Sequence, residues 1–215
     1  KLPDLAAKEL ERAVKQLGLK GAMIHGLSCG KMIDEREFWP IFEVAEELDV
    51  PIYLHPADPD KTVTERYYSP YDKTHPMVTR AAWGFGIETG TQAVRLILSG
   101  IFDRYPKLKI FLGHFGEAIP FWLPRIHESF TRPGNENIDF NRIFKENFWI
   151  TTSGFFSDNA LELCLKVLNA EKILFAVDWP YANNKVGVDW LANAPIDKHT
   201  KNLIFSENAR NLFNL

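Results

Sequence analysis

An α/β fold with parallel strands is predicted by three features of the 215-residue chain. Short, continuous apolar runs alternate with stretches of helical periodicity. The runs lack an in–out alternation, as strands covered on both faces should. Each helical stretch separates two runs, which is the layout of βα units. A chain of this kind closes into a (β/α) barrel or opens into a doubly wound sheet.

The elements follow in order. Ala6, Leu10, Ala13, Val14 and Leu17 share one helical face, with Asp4 after Pro3 as the expected N-cap and Gly18 as the stop. A first strand over 21–24 ends in His25. Phe38, Ile41, Phe42, Ala45 and Leu48 mark a second helix, and the run 50–54 is a second strand ending in His55. Residues 56–82 form a long connection rich in Pro, Asp and Tyr, a length typical of lids and binding loops. Ala93, Val94, Leu96 and Ile97 face inward from a third helix that stops near Gly100. The run 108–112 is a third strand, ending in Gly113–His114. A helix over about 118–129 is expected to be interrupted by Pro120 and Pro124. The fourth strand covers 148–152. A helix over 158–168 is expected to be capped by Asp158. The fifth strand covers 173–177 and ends in Asp178, and a last short helix begins at Ser206.

Composition narrows the function. A chain that is 46% hydrophobic and 25% charged buries a core, which excludes disorder. A net charge of −3 excludes a basic nucleic-acid footprint. No apolar stretch approaches the roughly 20 residues of a membrane span. Two Cys make neither a disulfide framework nor a zinc-finger spacing, and with no targeting signal visible a cytoplasmic protein is expected. Neither a Gly-rich dinucleotide loop nor a Walker A motif follows any strand, so nucleotide-binding readings lose their main support.

The strand ends carry the chemistry. In a parallel α/β fold all strand C-termini share one face, where active sites are built. Here the five expected strands end in His25, His55, His114, the Thr151–Thr152–Ser153 run and Asp178. One such His is an ordinary structural residue; three with an Asp point to a metal or acid–base site. Imidazole and carboxylate suit Zn²⁺, Mn²⁺ or Fe²⁺. Glu117 is either a first-turn acid favoured by the helix dipole or a carboxylate that orients His114. Arg125 is either an ordinary helix cation or a bidentate partner for an anionic substrate. His75, His127 and His199, in a loop or on helices, read as surface or lid residues.

The segments VPIYLHPADP (50–59), WGFGIET (83–89), SGIFDRYPKLKIFLGHFGEAIPFWLPRI (99–126), NFWITTSG (147–154), ILFAVDWP (173–180) and NARNLF (208–213) span nearly the whole chain. In this order they resemble the amidohydrolase-related metal-dependent decarboxylases, and most of all their hydroxybenzoate branch. The resemblance implies a TIM (β/α)₈ barrel of the metal-dependent hydrolase type. It aligns Lys1 just after the third barrel strand, so residues 1–215 are expected to be a single barrel domain comprising the C-terminal five βα units, without the first three strands. It implies one divalent metal, Zn or Mn, with His55 of L-H-P and Asp178 of D-W-P as ligands. His114 of G-H-x-G-E becomes a catalytic residue supported by Glu117, and Arg125 a holder of the substrate carboxylate. His25 stands where the branch usually has Asn, at a substrate-binding position. The family's further Glu-x-His or His-x-His ligand pair has no counterpart in this sequence.

The function implied is metal-dependent, non-oxidative decarboxylation of a hydroxyaromatic or related unsaturated acid, by a homodimer or homotetramer acting on a small carboxylic acid. In it Asp178 delivers the proton. The rival readings are a metal-dependent hydrolase of lactones or amides using the same residues, and a catalytically incomplete chain.

Overall fold

The computed structural model describes residues 2–215, and these form two compact units that divide after Ile110. Each is α/β with parallel strands, as the apolar pattern predicts.

The first unit opens with a helix, Pro3–Leu17. Pro3 occupies its first turn, where the missing N–H costs nothing, and Gly18 closes it. Asp4 is not the cap: the N-cap position is Leu2, with no side-chain hydrogen bond, and Asp4 lies inside the first turn. There it still favours the helix dipole. Ala7 and Leu10 are buried on the face toward the Trp39–Glu47 helix, which buries Trp39, Phe42 and Ala45 in return. Strands β1 (Ala22–His25) and β2 (Ile52–His55) pair in parallel, with Ala22 opposite Ile52 and His25 opposite His55. The Ile52 N–H continues the ladder to the Lys109 carbonyl at 3.0 Å. The long connection is not structureless. It breaks into short helical turns at Lys61–Val63, Thr64–Tyr68, Ser69–Tyr71 and Pro76–Val78. The Gly84–Leu98 helix then buries Ala93, Leu96 and Ile97.

Beyond β3 (Ile110–Leu112), the second unit carries the helix Ile119–Phe130. Pro120 sits in its first turn and Pro124 lies inside without ending it, contrary to the interruption expected from sequence. The N–H that Pro124 lacks would have faced the carbonyl four residues back, within the first turn, so one bond is lost and no later turn is disturbed. A helix the apolar pattern did not mark, Phe140–Asn147, is capped by Asp139, whose carboxylate accepts the Arg142 N–H at 3.0 Å. It leads directly into β4 (Phe148–Thr151). Phe140, Phe144 and Phe148 are fully buried, and the rings of Phe144 and Phe148 stack with centroids 5.1 Å apart. The next helix is Asp158–Val167. Its cap is Ser157, whose hydroxyl accepts the Ala160 N–H at 3.3 Å, while Asp158 accepts the Trp190 indole N–H at 2.8 Å.

Strand β5 is shorter than its apolar run: it covers Ile173–Leu174 and pairs in parallel with β4, Ile150 opposite Ile173. The reason lies in its next hydrogen bonds. Phe175 N–H turns to the Ile204 carbonyl at 2.9 Å, and Ala176 exchanges two bonds with the Thr152 hydroxyl instead of a strand backbone. The last helix, Asn208–Phe213, starts two residues after Ser206.

Candidate active site

The two units gather the candidate residues separately. In the first, the β1–β2 register sets His25 beside His55. Partners in parallel strands point to the same face, so the rings meet, with centroids 4.4 Å apart and planes tilted by 34°. His55 Nδ1 lies 2.7 Å from the Pro56 carbonyl. A carbonyl only accepts, so Nδ1 is the donor, and in the neutral ring Nε2 is left as the acceptor. That is the form in which imidazole ligates a cation. Partial desolvation, and then the neighbouring His55 ring, hold His25 below the ordinary imidazole range.

The second unit builds its cluster on strained backbone. From His114 to Ala118, five successive residues have positive φ: 47°, 56°, 80°, 52° and 64°. Four of the five carry side chains, each at a cost of about 1–2 kcal/mol in this region. Gly116 occupies the third position, where a Cβ would come within 2.9 Å of Ile150 Cγ2. Strain of this kind persists only where the surroundings over-determine it. Here Gly116 N–H donates to the Gly113 carbonyl at 2.7 Å, and His114 N–H donates to Ser153 Oγ at 3.3 Å. The buried Cys164 thiol also approaches the Phe115 carbonyl at 3.7 Å.

The left-handed turn brings His114 Nδ1 to 2.6 Å from Glu117 Oε1, on a Glu117 side chain only 3% exposed. His114 Nε2 lies 3.8 Å from Asp178 Oδ2, an ion-pair contact longer than a hydrogen bond. Burial pulls the His114 imidazole down. Glu117 first, and then Asp178, outweigh that and hold it above its usual value. Asp178 itself has φ 72°. Its carbonyl accepts the Tyr181 and Ala182 N–H groups at 2.9 and 3.0 Å. The loop so formed carries a cis Trp179–Pro180 bond and lines a cleft of about 370 Å³ with Trp179, Tyr181 and Asn183.

Arg125 has other company. Its guanidinium lies 5.8 Å from the Trp122 ring centroid, a cation–π contact at an exposed position. His75 and His199 are exposed, and the half-buried His127 has its Nδ1 3.9 Å from Asp139 Oδ1. Sequence reasoning marked Thr151, Thr152 and Ser153 as polar but assigned them no task. The signal it had was a hydroxyl-rich T-T-S-G run at a strand end.

Among the described residues, no group of three or more His, Cys, Asp or Glu could hold a metal ion. The donor chemistry of the two candidate ligands nonetheless fits a divalent cation: a free imidazole nitrogen on His55 and a carboxylate on Asp178. No described helix is long and apolar enough to cross a membrane.

A family model described as Amidohydrolase matches residues 2–215. A γ-resorcylate decarboxylase from Polaromonas sp. is 39% identical, over 99% of this chain and 67% of that protein. Among solved structures, the 5-carboxyvanillate decarboxylase of Sphingomonas paucimobilis superposes with a TM-score of 0.89 at 39% identity, covering 99% of this chain and 64% of that one. A dihydroxybenzoic acid decarboxylase from Polaromonas sp., solved with bound manganese and the inhibitor 2-nitroresorcinol, gives 0.90 at 37% identity, covering 99% and 66%. The chain thus spans about two thirds of the length of these relatives.

Proposed function

The chain belongs to the amidohydrolase family, and from that premise we propose that it serves the metal-dependent, non-oxidative decarboxylation of a hydroxylated aromatic acid. The observation that carries the reading is the His114–Glu117–Asp178 cluster, a proton-handling set held by a strained turn. The reaction replaces a ring carboxylate by a proton. The Asp178 carboxyl gives its proton to the ring carbon that bears the carboxylate. Aromaticity is lost in that step. It returns when the carbon–carboxylate bond breaks, its electron pair re-enters the ring, and CO₂ leaves. Solvent then reprotonates Asp178. His114, anchored by Glu117, presents Nε2 to hold the substrate and its developing charge. His55 and Asp178 would hold a divalent cation, Mn²⁺ or Zn²⁺, which supplies Lewis-acid polarisation when bound. Arg125 would grip the carboxylate and His25 would contact the ring.

The same proposal takes residues 1–215 as the C-terminal five βα units of a (β/α)₈ barrel, cytoplasmic, and acting as a homodimer or homotetramer. Light scattering tests the oligomer. To test the reaction, the purified chain with Mn²⁺ or Zn²⁺ is incubated with dihydroxybenzoates and, separately, with aryl lactones. CO₂ release from the former is expected. Acid release from the lactones alone would replace the decarboxylase reading with a hydrolase one.

A further inference from the structure

The T-T-S-G run that ends β4 is a motif the proposed reaction leaves without a task. Ser153 is buried, and its Oγ lies 2.9 Å from Thr151 Oγ1, itself buried, while accepting the His114 backbone N–H at 3.3 Å. That N–H opens the left-handed turn. The next residue, Gly154, has φ 63°, and its N–H donates to the Val177 carbonyl at 3.1 Å, one residue before Asp178. A Cβ at position 154 would stand 2.9 Å from Asp178 Oδ2 and 3.4 Å from His114 Cδ2. So the residue without a side chain lies where the histidine and the aspartate approach each other. The two neighbours hold both halves of the cluster: one by its hydroxyl on the His114 backbone, the other by its N–H on the Asp178 side and by the space it leaves.

We propose that Ser153 and Gly154 are positioning residues that set the separation and orientation of the His114–Asp178 pair. The inference rests on the proposed function only in taking that pair as the working groups. A hydroxyl at 153 fixes where the turn starts. A glycine at 154 fixes how closely Asp178 can approach.

The test uses the full chain labelled with ¹⁵N in its histidines. Six imidazoles are present, and His114→Gln identifies the signals of His114. Ser153→Ala and Gly154→Ala should each displace the His114 ring-nitrogen signals, leave those of the exposed His75 and His199 in place, and preserve the far-ultraviolet circular dichroism. Ser153→Thr, which keeps the hydroxyl, should retain the wild-type position. Folded variants whose His114 signals coincide with wild type would overturn the proposal. So would a folded Ser153→Thr chain whose His114 signals leave the wild-type position, a result that stands even if the alanine variants fail to fold. The readout needs no turnover. An inactive chain with the expected shifts therefore refutes the decarboxylase reading and leaves this one intact. Where the chain turns over substrate, kcat of Gly154→Ala should fall roughly 100-fold while KM holds, as expected for a misplacement near the chemistry.

Discussion

Two glutamates, one in each unit, are buried to nearly the same degree: Glu88 is 6% exposed and Glu117 is 7% exposed. Their circumstances differ. Glu88 lies on the regular Gly84–Leu98 helix, and its Oε1 has no hydrogen-bond partner among the described residues. Desolvation raises its carboxyl above the ordinary range, with Asp60 adding to the rise and Gln92 and Arg95 opposing it. Glu117 lies on a left-handed turn that costs backbone energy, yet its Oε1 meets a histidine nitrogen at 2.6 Å. Burial alone therefore does not mark a working group. A buried acid paired through backbone strain is the stronger candidate, because strain survives only where the surroundings over-determine it.

Replacing each glutamate by glutamine should separate the two cases. Glu117→Gln removes the charge that anchors His114, and CO₂ release should fall about 10–100-fold, the usual loss when a group that orients a functional histidine is changed. Glu88→Gln should leave that rate at the wild-type level. Its effect is on stability. A carboxyl raised in the folded state contributes fully below the ordinary carboxylate range, and that contribution is lost as pH rises through its folded value. Glu88→Gln should therefore stabilise the chain at pH 8, by on the order of 1 kcal/mol in denaturant titration. The gain should be smaller at pH 4. Equal gains at both pH values would show that folding does not raise the Glu88 carboxyl.

A gentler contrast uses the helix that supports the turn from behind. Ser157→Ala should cost about 1 kcal/mol as a lost cap, and Asp158→Ala less, since Asp158 bonds the Trp190 indole and does not cap the helix. The smallest effect concerns Cys164, whose thiol burial pushes up to about 12. Its stabilising contribution is present below the ordinary thiol range and is lost as pH climbs toward that value. At pH 8 an alkylating reagent should label the exposed Cys29 and spare Cys164 until the chain unfolds.

Much of the fold was legible in the residues. Parallel strands announced themselves as apolar runs, and the His25–His55 contact follows from two strands ending in the same residue type in matched register. The helix at Phe140–Asn147 was missed because its apolar positions run straight into those of β4, with no glycine or proline between them. Two caps were misplaced by a residue or two: Ser157 and Asp158 compete at one helix start, and at the other Pro3 begins the helix before Asp4 can cap it. At the site, residue identity was readable and geometry was not. Nothing in H-F-G-E-A (114–118) states that five residues in a row turn left-handed, because only one of them is glycine. The hydroxyl of Ser153 and the bare Cα of Gly154 act through residues distant in sequence, a kind of contact that no local pattern encodes.

The most direct measurement follows a hydroxybenzoate labelled with ¹³C in its carboxyl group, turned over in D₂O by the purified chain and by Asp178→Asn. The expected result is labelled CO₂ with one deuterium at the carbon that lost it for the wild type, and neither for Asp178→Asn, which should still bind substrate. A rate loss of about 10²–10⁴ is the scale expected for removing the general acid. An Asp178→Asn chain that releases labelled CO₂ at the wild-type rate, or a wild-type chain that releases none with any divalent metal, would contradict the proposed proton transfer.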